Sequence, residues 1–134
     1  MEEKIIQALQ KTNWKLDKAP NGLYHTQYQG KNTKLIIHLN ILNLDESVLF
    51  AIAYLPIKVE RHQINKVARF LNELNLDRFF GSFELDYTIG EIAFRTGIYY
   101  FNTDFQMPMA FNCLDAAAYF ADMNYPSILE VINN

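Results

Sequence analysis

The stretch INKVARFLNELNLDRFFGSFELDYTIGEIAFR, residues 64–95, decides the fold of this chain. Its first half repeats apolar side chains every three or four residues, which predicts an amphipathic helix over residues 60–74. Asn75 is the predicted end of that helix, because asparagine tolerates the left-handed conformation of a C-terminal cap.

The second half of the stretch predicts a β-hairpin. Its strands cover residues 79–87 and 91–101, and Gly90 suits the positive φ angle that closes a four-residue loop. The alternation of polar and apolar residues places Glu84 and Arg95 on one polar face. The two side chains are then within cross-strand reach of each other.

Patterns elsewhere predict three more strands and further helices. The segment 47–55 is apolar on both faces, so we expect an interior strand covered on one side by helices and on the other by a helix or a second subunit. Pro56 is the predicted end of this strand. The remaining predicted elements are a helix at 2–13, strands at 23–29 and 33–42, a helix at 109–123 and a short helix from Pro126.

The order α-β-β-β-α-β-β-α groups the strands into hairpins and does not alternate them with helices. This order predicts an α+β fold, in which an antiparallel five-stranded sheet has helices packed against it. A length of 134 residues predicts a single domain over residues 1–134. Half of the residues are hydrophobic and a fifth are charged, which is typical of a well-packed core.

The charge and the ends of the chain indicate its environment. The net charge is −3 and the lysines and arginines are scattered, which disfavours nucleic acid and anionic membranes as partners. The start of the chain lacks the pattern of a signal peptide, and the longest apolar run, residues 48–57, is too short to span a bilayer. We therefore expect a soluble cytoplasmic protein.

Candidate chemical groups are few. Glu84, Asp86 and Arg95 fall on one hairpin face and have two interpretations: an acid–base site or a solvated cross-strand ion pair, of which the ion pair is favoured. His25, His38 and His62 lack the spacing of a metal site. No glycine-rich phosphate loop occurs, so no cofactor is predicted, and Cys113 fits a core thiol within a helical stripe.

Two other surfaces are candidates for contact with a partner. The predicted helix carries Asn65, Arg69 and Asn72 on one face, where they either bind a partner or remain solvated. The run of residues 98–101 places large aromatic groups on both strand faces. Tyr99 and Phe101 are thus candidates for a protein interface if one face remains without cover.

The chain resembles the YbjN-like family of bacterial sensory transduction regulators. The resemblance is carried by FLNELN at residues 70–75, GSFELD at 81–86 and the Gly90-Glu91-Ile92 triplet with Arg95, and Trp14 and Pro56 also fit. That family is similar in fold to type III secretion chaperones, which are homodimers that hold extended client segments. The resemblance implies a non-enzymatic binding protein and transfers no catalytic residue.

The leading expectation is therefore a cytoplasmic, homodimeric, chaperone-like or regulatory protein that binds a partner protein or peptide. Its contact residues are expected to be Asn65, Arg69, Asn72, Glu84, Arg95, Tyr99 and Phe101. Two alternatives stay open. One is a small enzyme with an acidic site at Glu84, Asp86 and Arg95, and the other is a binder of a small ligand held between sheet and helices.

Overall fold

A computed structural model describes residues 2–42, 48–101 and 103–134, with the side chain of Leu42 left out. These ranges form three α-helices and one six-stranded antiparallel sheet. The helices are α1 (Glu2–Gln10), α2 (Ile64–Leu76, after a 3-10 turn at Arg61–Gln63) and α3 (Met107–Asn133). The strands are β1 (Asp17–Lys18), β2 (Tyr24–Gln29), β3 (Lys34–Leu42), β4 (Val48–Lys58), β5 (Ser82–Asp86) and β6 (Glu91–Tyr99). The α+β class and the antiparallel sheet are as predicted.

The sheet places its most apolar strand near the middle. The strand order is β1-β2-β3-β4-β6-β5, so β4 lies between β3 and β6 and is interior, as predicted. Successive side chains point to opposite faces, and one face meets the helices. On β3 and β4 this face consists of side chains with no exposed surface, namely Leu35, Ile37, Leu39, Leu49, Ala51 and Ala53.

Helix α3 crosses the sheet over β3, β4 and β6. Small residues on its inner face, including Cys113, Ala117 and Ala121, are fully buried and let the helix approach the strands closely. The buried Thr96 hydroxyl of β6 donates a hydrogen bond of 2.8 Å to the Cys113 carbonyl. The predicted core role of Cys113 therefore agrees with its position.

The predicted number of five strands is wrong for the described sheet. The sixth strand is β1, where Asp17 pairs with His25 and Lys18 with Tyr24. Two exposed residues cannot display the alternation on which a strand prediction relies. The short strand forms one edge of the sheet, which limits pairing with other chains there.

Pro56 does not end its strand, contrary to the prediction. Strand β4 continues to Lys58, and its pairing with β6 shifts register between Tyr54 and Lys58. A proline is tolerated at such an irregularity because the residue there does not have to donate a backbone hydrogen bond to the neighbouring strand. Beyond it, Val59 donates a backbone hydrogen bond of 2.8 Å to Gly90, whose φ angle of 71° is positive as predicted.

Asn75 is not the left-handed helix end that the sequence predicts. It lies inside α2, and the cap residue Asp77 has a φ angle of −93°. The Asn75 amide instead bonds the backbone of Phe83 in both directions: the Phe83 N–H donates to Oδ1 at 2.7 Å and Nδ2 donates to the Phe83 carbonyl at 3.0 Å. This side chain therefore occupies part of the outer edge of β5, where a further strand could otherwise pair.

The two predicted C-terminal helices are one helix, because α3 runs through Pro126. A proline inside a helix leaves the carbonyl four residues earlier without its usual donor, and here that carbonyl belongs to Asp122. The Asn32 side chain donates to it at 3.0 Å and replaces the lost bond. The helix therefore continues because the β2–β3 turn compensates for the proline.

The Asp122 carboxylate organises the same turn. It is 8% exposed and accepts hydrogen bonds from the backbone N–H groups of Lys31 at 3.0 Å, Asn32 at 2.9 Å and Thr33 at 2.9 Å. The space beside it requires glycine, since a Cβ atom at Gly30 would lie 2.1 Å from Asp122 Oδ1. These contacts fix the tip of the β2–β3 hairpin to the centre of α3.

Two predicted features lie outside the described residues. They are the turn at residues 43–46 and the start of the connector at Asn102. Within the described residues, no helix combines the length and apolarity needed to cross a membrane.

Candidate functional site

The face of the sheet opposite the helices is the main candidate site, and we call it the open face. Because the described helices all pack on the other side, the second apolar face of β4 has no cover from them. Its centre is formed by Phe50, Ile52 and Tyr54 of β4. The register places Ile36 beside Tyr54 and Tyr99 beside Val48, so the apolar strip extends onto both neighbouring strands.

Exposure is high at the two ends of this strip and lower at its centre. Ile36 is 50% exposed, and Tyr99 is 67% exposed. Phe50 and Tyr54 are half-buried, and Ile52 between them is 8% exposed. A contiguous apolar patch of this kind is typical of an interaction surface.

An ion pair borders the apolar strip. Arg95 Nε and Nη2 donate to the two carboxylate oxygens of Glu84 at 3.1 and 3.0 Å, so the cross-strand contact predicted from the sequence is present, and the register makes it diagonal. Both side chains are 43% exposed, and a pair in this setting contributes about 1 kcal/mol or less to stability. The Arg95 guanidinium also lies 5.1 Å from the centre of the Phe50 ring, which joins the charged edge to the apolar strip.

A histidine pair lies on the other side of the strip. His38 contacts the Tyr54 ring edge-on, with ring centres 4.9 Å apart, and is directly opposite His25 on β2. Burial lowers the pKa of His38, and repulsion from His25 lowers it further, while Glu91 acts in the opposite direction. Burial likewise raises the pKa of Tyr54, with Glu91 adding to the rise. Both groups therefore favour their neutral forms.

The acids of the hairpin do converge on one hollow. Glu84, Asp86, Glu91, Arg95 and Tyr54 line a shallow depression of about 360 Å³ on the open face. The bidentate contact uses both oxygens of Glu84. Among the described residues no cluster of histidine, cysteine and acidic side chains could hold a metal ion there or elsewhere.

The aromatic run at the end of β6 divides between core and surface. Tyr100 is buried at 9%, whereas Tyr99 and Phe101 are exposed and stack on each other with ring centres 6.1 Å apart and planes 11° apart. Phe101 lies just beyond the end of β6, which finishes at Tyr99. The pair forms an aromatic end to the open face.

The predicted contact residues do not form one surface. Glu84, Arg95 and Tyr99 share the open face, but Asn65, Arg69 and Asn72 are exposed on the outer side of α2. Helix α2 packs on β5 through Ile64, Val67 and Leu71, on the helix side of the sheet. Arg69 has only a loose contact with Glu73 at 3.8 Å, with 85% of its side chain exposed. The α2 residues therefore lie on an exposed face separate from the open face, and their role as contact residues stays a prediction.

A second depression lies between the sheet and the helices, which is the position expected for a small ligand. Its volume is about 500 Å³, and its walls come from the segment after α1, from β2 and from α3. Trp14 stacks on Tyr28 with ring centres 5.7 Å apart, and the Trp14 indole donates to Asp115 at 3.0 Å. The position of Trp14 is therefore fixed by β2 and α3 together.

Three residues of the open face, namely Ile36, Phe50 and Tyr54, are not among the contact residues predicted from the sequence. The signal was present in the apolar pattern on both faces of the 47–55 segment, which already required a second cover. What the pattern could not reveal was that all three helices pack on the same side.

No family model, curated protein or solved structure matches this chain.

Proposed function

We propose that this chain is a non-enzymatic, chaperone-like or regulatory protein of the cytoplasm, which binds a partner protein or peptide segment through the open face. The supporting observation is the two-faced apolar strand β4, whose Phe50 and Tyr54 side lacks helical cover among the described residues. Leaving such a strip in water is unfavourable, so a partner that covers it gains hydrophobic free energy.

The size of the open face suits an extended segment of a partner protein. Strands β3, β4 and β6 have 9, 11 and 9 residues. At about 3.4 Å per residue and 4.8 Å between strands, these three strands span roughly 30 by 15 Å, or about 450 Å². This area is smaller than the ~800 Å² that each partner of a stable globular complex buries, and its length matches an extended segment of about nine residues.

The chemistry of the open face suits an extended apolar segment. Aromatic side chains and an arginine that contacts an aromatic ring are enriched at binding hot spots. The Glu84–Arg95 pair at the border offers polar contacts that fix the position of a segment without requiring a buried unpaired charge. The resemblance to YbjN-like proteins agrees with this proposal and extends it to a homodimer.

Capture from native lysate with quantitative mass spectrometry tests this proposal. The wild-type chain is compared with the double variant Ile36→Glu and Tyr99→Glu, which places charges on the open face. The matched control is Tyr87→Glu, an exposed aromatic at 62% in the β5–β6 turn. One stoichiometric partner that is retained by the control and lost by the double variant supports the proposal.

An equal loss in both variants, or no loss in either, would contradict the proposal. Light scattering after gel filtration at several protein concentrations tests the homodimer separately. A monomeric mass at all concentrations would contradict the homodimer but not the proposed binding of another protein.

One observation favours an enzyme as a second candidate: the convergence of Glu84, Asp86, Glu91 and Tyr54 on the 360 Å³ hollow. A fragment screen observed by NMR tests it, with Glu84→Gln as the variant. Fragments that move the amide signals of residues 84–86 and 91–95, and lose this effect in the variant, would support a small-molecule site. The absence of any such fragment would contradict the enzyme candidate.

The depression beside Trp14 is the observation that favours the binding of a small ligand. It combines a stacked aromatic pair with the amide side chains of Asn13 and Gln27. Quenching of Trp14 fluorescence by members of a metabolite library tests this candidate directly, since Trp14 is the single tryptophan of the chain. Saturable quenching that is lost in Tyr28→Ala would support it.

A further inference from the structure

Arg78 occupies an unusual position on the helix side of the sheet. Its guanidinium carbon lies 5.3 Å from the ring centre of Phe83, 5.4 Å from that of Phe94 and 4.7 Å from that of Phe120. The residue follows the end of α2, and its backbone N–H donates to Asn75 at 3.1 Å. The chain therefore holds the cation over three aromatic rings, which we call the Phe cluster (Phe83, Phe94 and Phe120).

The hydrogen-bonding capacity of this arginine is unused by the described residues. Its Nε–H is buried and has no acceptor, and no described carboxylate lies within 4.0 Å of the guanidinium. Aromatic rings attract the charge but do not provide the in-plane acceptors that a guanidinium binds. Burial also lowers the pKa of Arg78, which reflects incomplete solvation of its charge.

An apolar groove begins at the same cluster. Phe120 is one of its walls, and the others include Phe80, Ile98, Met109, Ala116 and Tyr119, which together with the polar residues Asn112 and Asp115 enclose about 560 Å³. We call it the α3 groove. Phe80 is 40% exposed and Tyr119 is 56% exposed, and the adjacent Phe79 is fully exposed. Phe120 therefore belongs both to the Phe cluster around Arg78 and to the wall of the α3 groove.

We propose that Arg78 and the α3 groove form a docking site for a partner-protein segment in which an acidic side chain is flanked by apolar ones. The carboxylate would accept hydrogen bonds from the two Nη groups, which unlike Nε are not among the buried atoms without a partner, and the apolar side chains would fill the groove. In a site with few water molecules such a pair is stronger than on an open surface. The site is separate from the open face, so it goes beyond the proposed function and can fail independently of it.

Charge complementarity also indicates which end of the α3 groove receives the acidic side chain. The carboxylate that lines the groove belongs to Asp115, which accepts the Trp14 indole N–H at 3.0 Å. An incoming acid is attracted by Arg78 at the Phe120 end and repelled by Asp115. The acidic side chain of the segment therefore lies at the Phe120 end of the groove.

NMR titration of the full chain with two acetylated and amidated hexapeptides, SLEFLS and SLQFLS, tests the proposal. The peptides differ only in the carboxylate. We expect SLEFLS to bind about tenfold more tightly, since a charge-assisted hydrogen bond contributes about 1.5 kcal/mol and 1.4 kcal/mol is a factor of ten. The expected signals are shifts of the Arg78 Nε–Hε resonance and of the methyl groups of Ile98 and Met109.

Variants distinguish the contribution of the Arg78 charge to peptide affinity from that of the α3 groove. Arg78→Gln should make the two affinities equal, and the control Arg69→Gln, on the exposed face of α2, should keep the tenfold difference. Tyr119→Ala should weaken both peptides by the same factor, because it removes a groove wall and leaves the charge in place. If Arg78→Gln does not fold, the comparison of the two peptides on the wild-type chain still decides the question.

Three results would overturn the proposal. The first is equal affinity of the two peptides for the wild-type chain. The second is the absence of binding by either peptide up to about 5 mM, the range of very weak complexes. The third is a set of shifts confined to the open face, which would assign the peptide to the surface of the proposed function instead.

Discussion

Replacing Asp122 by alanine should destabilise the fold by about 3 kcal/mol. The carboxylate accepts three backbone hydrogen bonds from the β2–β3 turn, at 3.0, 2.9 and 2.9 Å. Lys31 and Asn32 are exposed, so water can replace the lost acceptor for their N–H groups at about 0.5–1 kcal/mol each. Thr33 is buried at 8%, and an unsatisfied N–H in such a place costs about 1–3 kcal/mol.

Urea unfolding followed by circular dichroism measures this loss. With a slope of about 1.5 kcal/mol per M for a small domain, a loss of 3 kcal/mol lowers the midpoint by about 2 M. Asp122→Asn should fall between wild type and alanine, because one of its two oxygens becomes an NH₂ group that cannot accept. The matched control is Asp115→Asn on the same helix, whose carboxylate accepts only the Trp14 indole among its described contacts.

The control should lose less than about 1 kcal/mol, as one exposed hydrogen bond contributes little. The reasoning is refuted if Asp122→Ala loses no more than Asp115→Asn. It is also refuted if Gly30→Ala is tolerated, since a Cβ atom there would lie 2.1 Å from Asp122 Oδ1.

Three further predictions concern the sheet edge, the open face and the core thiol. Asn75→Ala should lose about 1–2 kcal/mol in urea unfolding and increase hydrogen exchange at the Phe83 amide, because both bonds to that backbone disappear; unchanged exchange at Phe83 would contradict this. Burial lowers the pKa of His38 below its ordinary value of 6.5, so the folded state binds this proton less readily than the unfolded state, and stability should fall as the pH drops below about 6.5. His38→Gln should reduce this dependence of the unfolding free energy on pH, measured from pH 7.5 to 5. An unchanged dependence would show that other groups cause it. Burial raises the pKa of the Cys113 thiol to about 11, so at pH 8 iodoacetamide should alkylate the native chain on the order of 100-fold more slowly than the unfolded chain; equal rates would contradict the buried position.

The repeating patterns of the chain predict most of its elements. The interior position of β4 follows from the apolar residues on both faces of segment 47–55, and the turn at Gly90 follows from glycine chemistry. The cross-strand contact between Glu84 and Arg95 follows from period-two alternation and a four-residue loop. These features depend on local spacing, which is fully contained in the sequence.

Three of the incorrect predictions involve a contact between different elements, which the pattern within one element does not contain. Pro126 is compatible with a continuous α3 only because Asn32, far away in the chain, donates to the Asp122 carbonyl. Asn75 is a residue type that is common at helix ends, but its side-chain amide bonds the edge of β5 instead. Strand β1 is too short for any pattern and exists because β2 offers it a pairing edge.

The candidate site shows the same division between local and distant information. Alternation alone predicts the polar set of the β5–β6 hairpin, whereas the exposure of Tyr99 depends on which face of the sheet the helices cover. That Asn65 and Asn72 lie on the opposite side of the sheet depends on the packing of α2 against β5, which no local pattern specifies. Arg78 follows a helix end and precedes two phenylalanines, and nothing in that sequence shows that Phe120 completes its surroundings.

Site-specific photo-cross-linking tests most directly whether the open face is a contact surface. A benzophenone amino acid replaces Tyr99 on the open face or Tyr87 in the β5–β6 turn, and the two chains are irradiated in native lysate. Both positions carry exposed aromatic rings, at 67% and 62%, so accessibility is matched. We predict a discrete protein adduct from position 99 and none from position 87; adducts of equal yield from both positions, or from position 87 alone, would contradict the account.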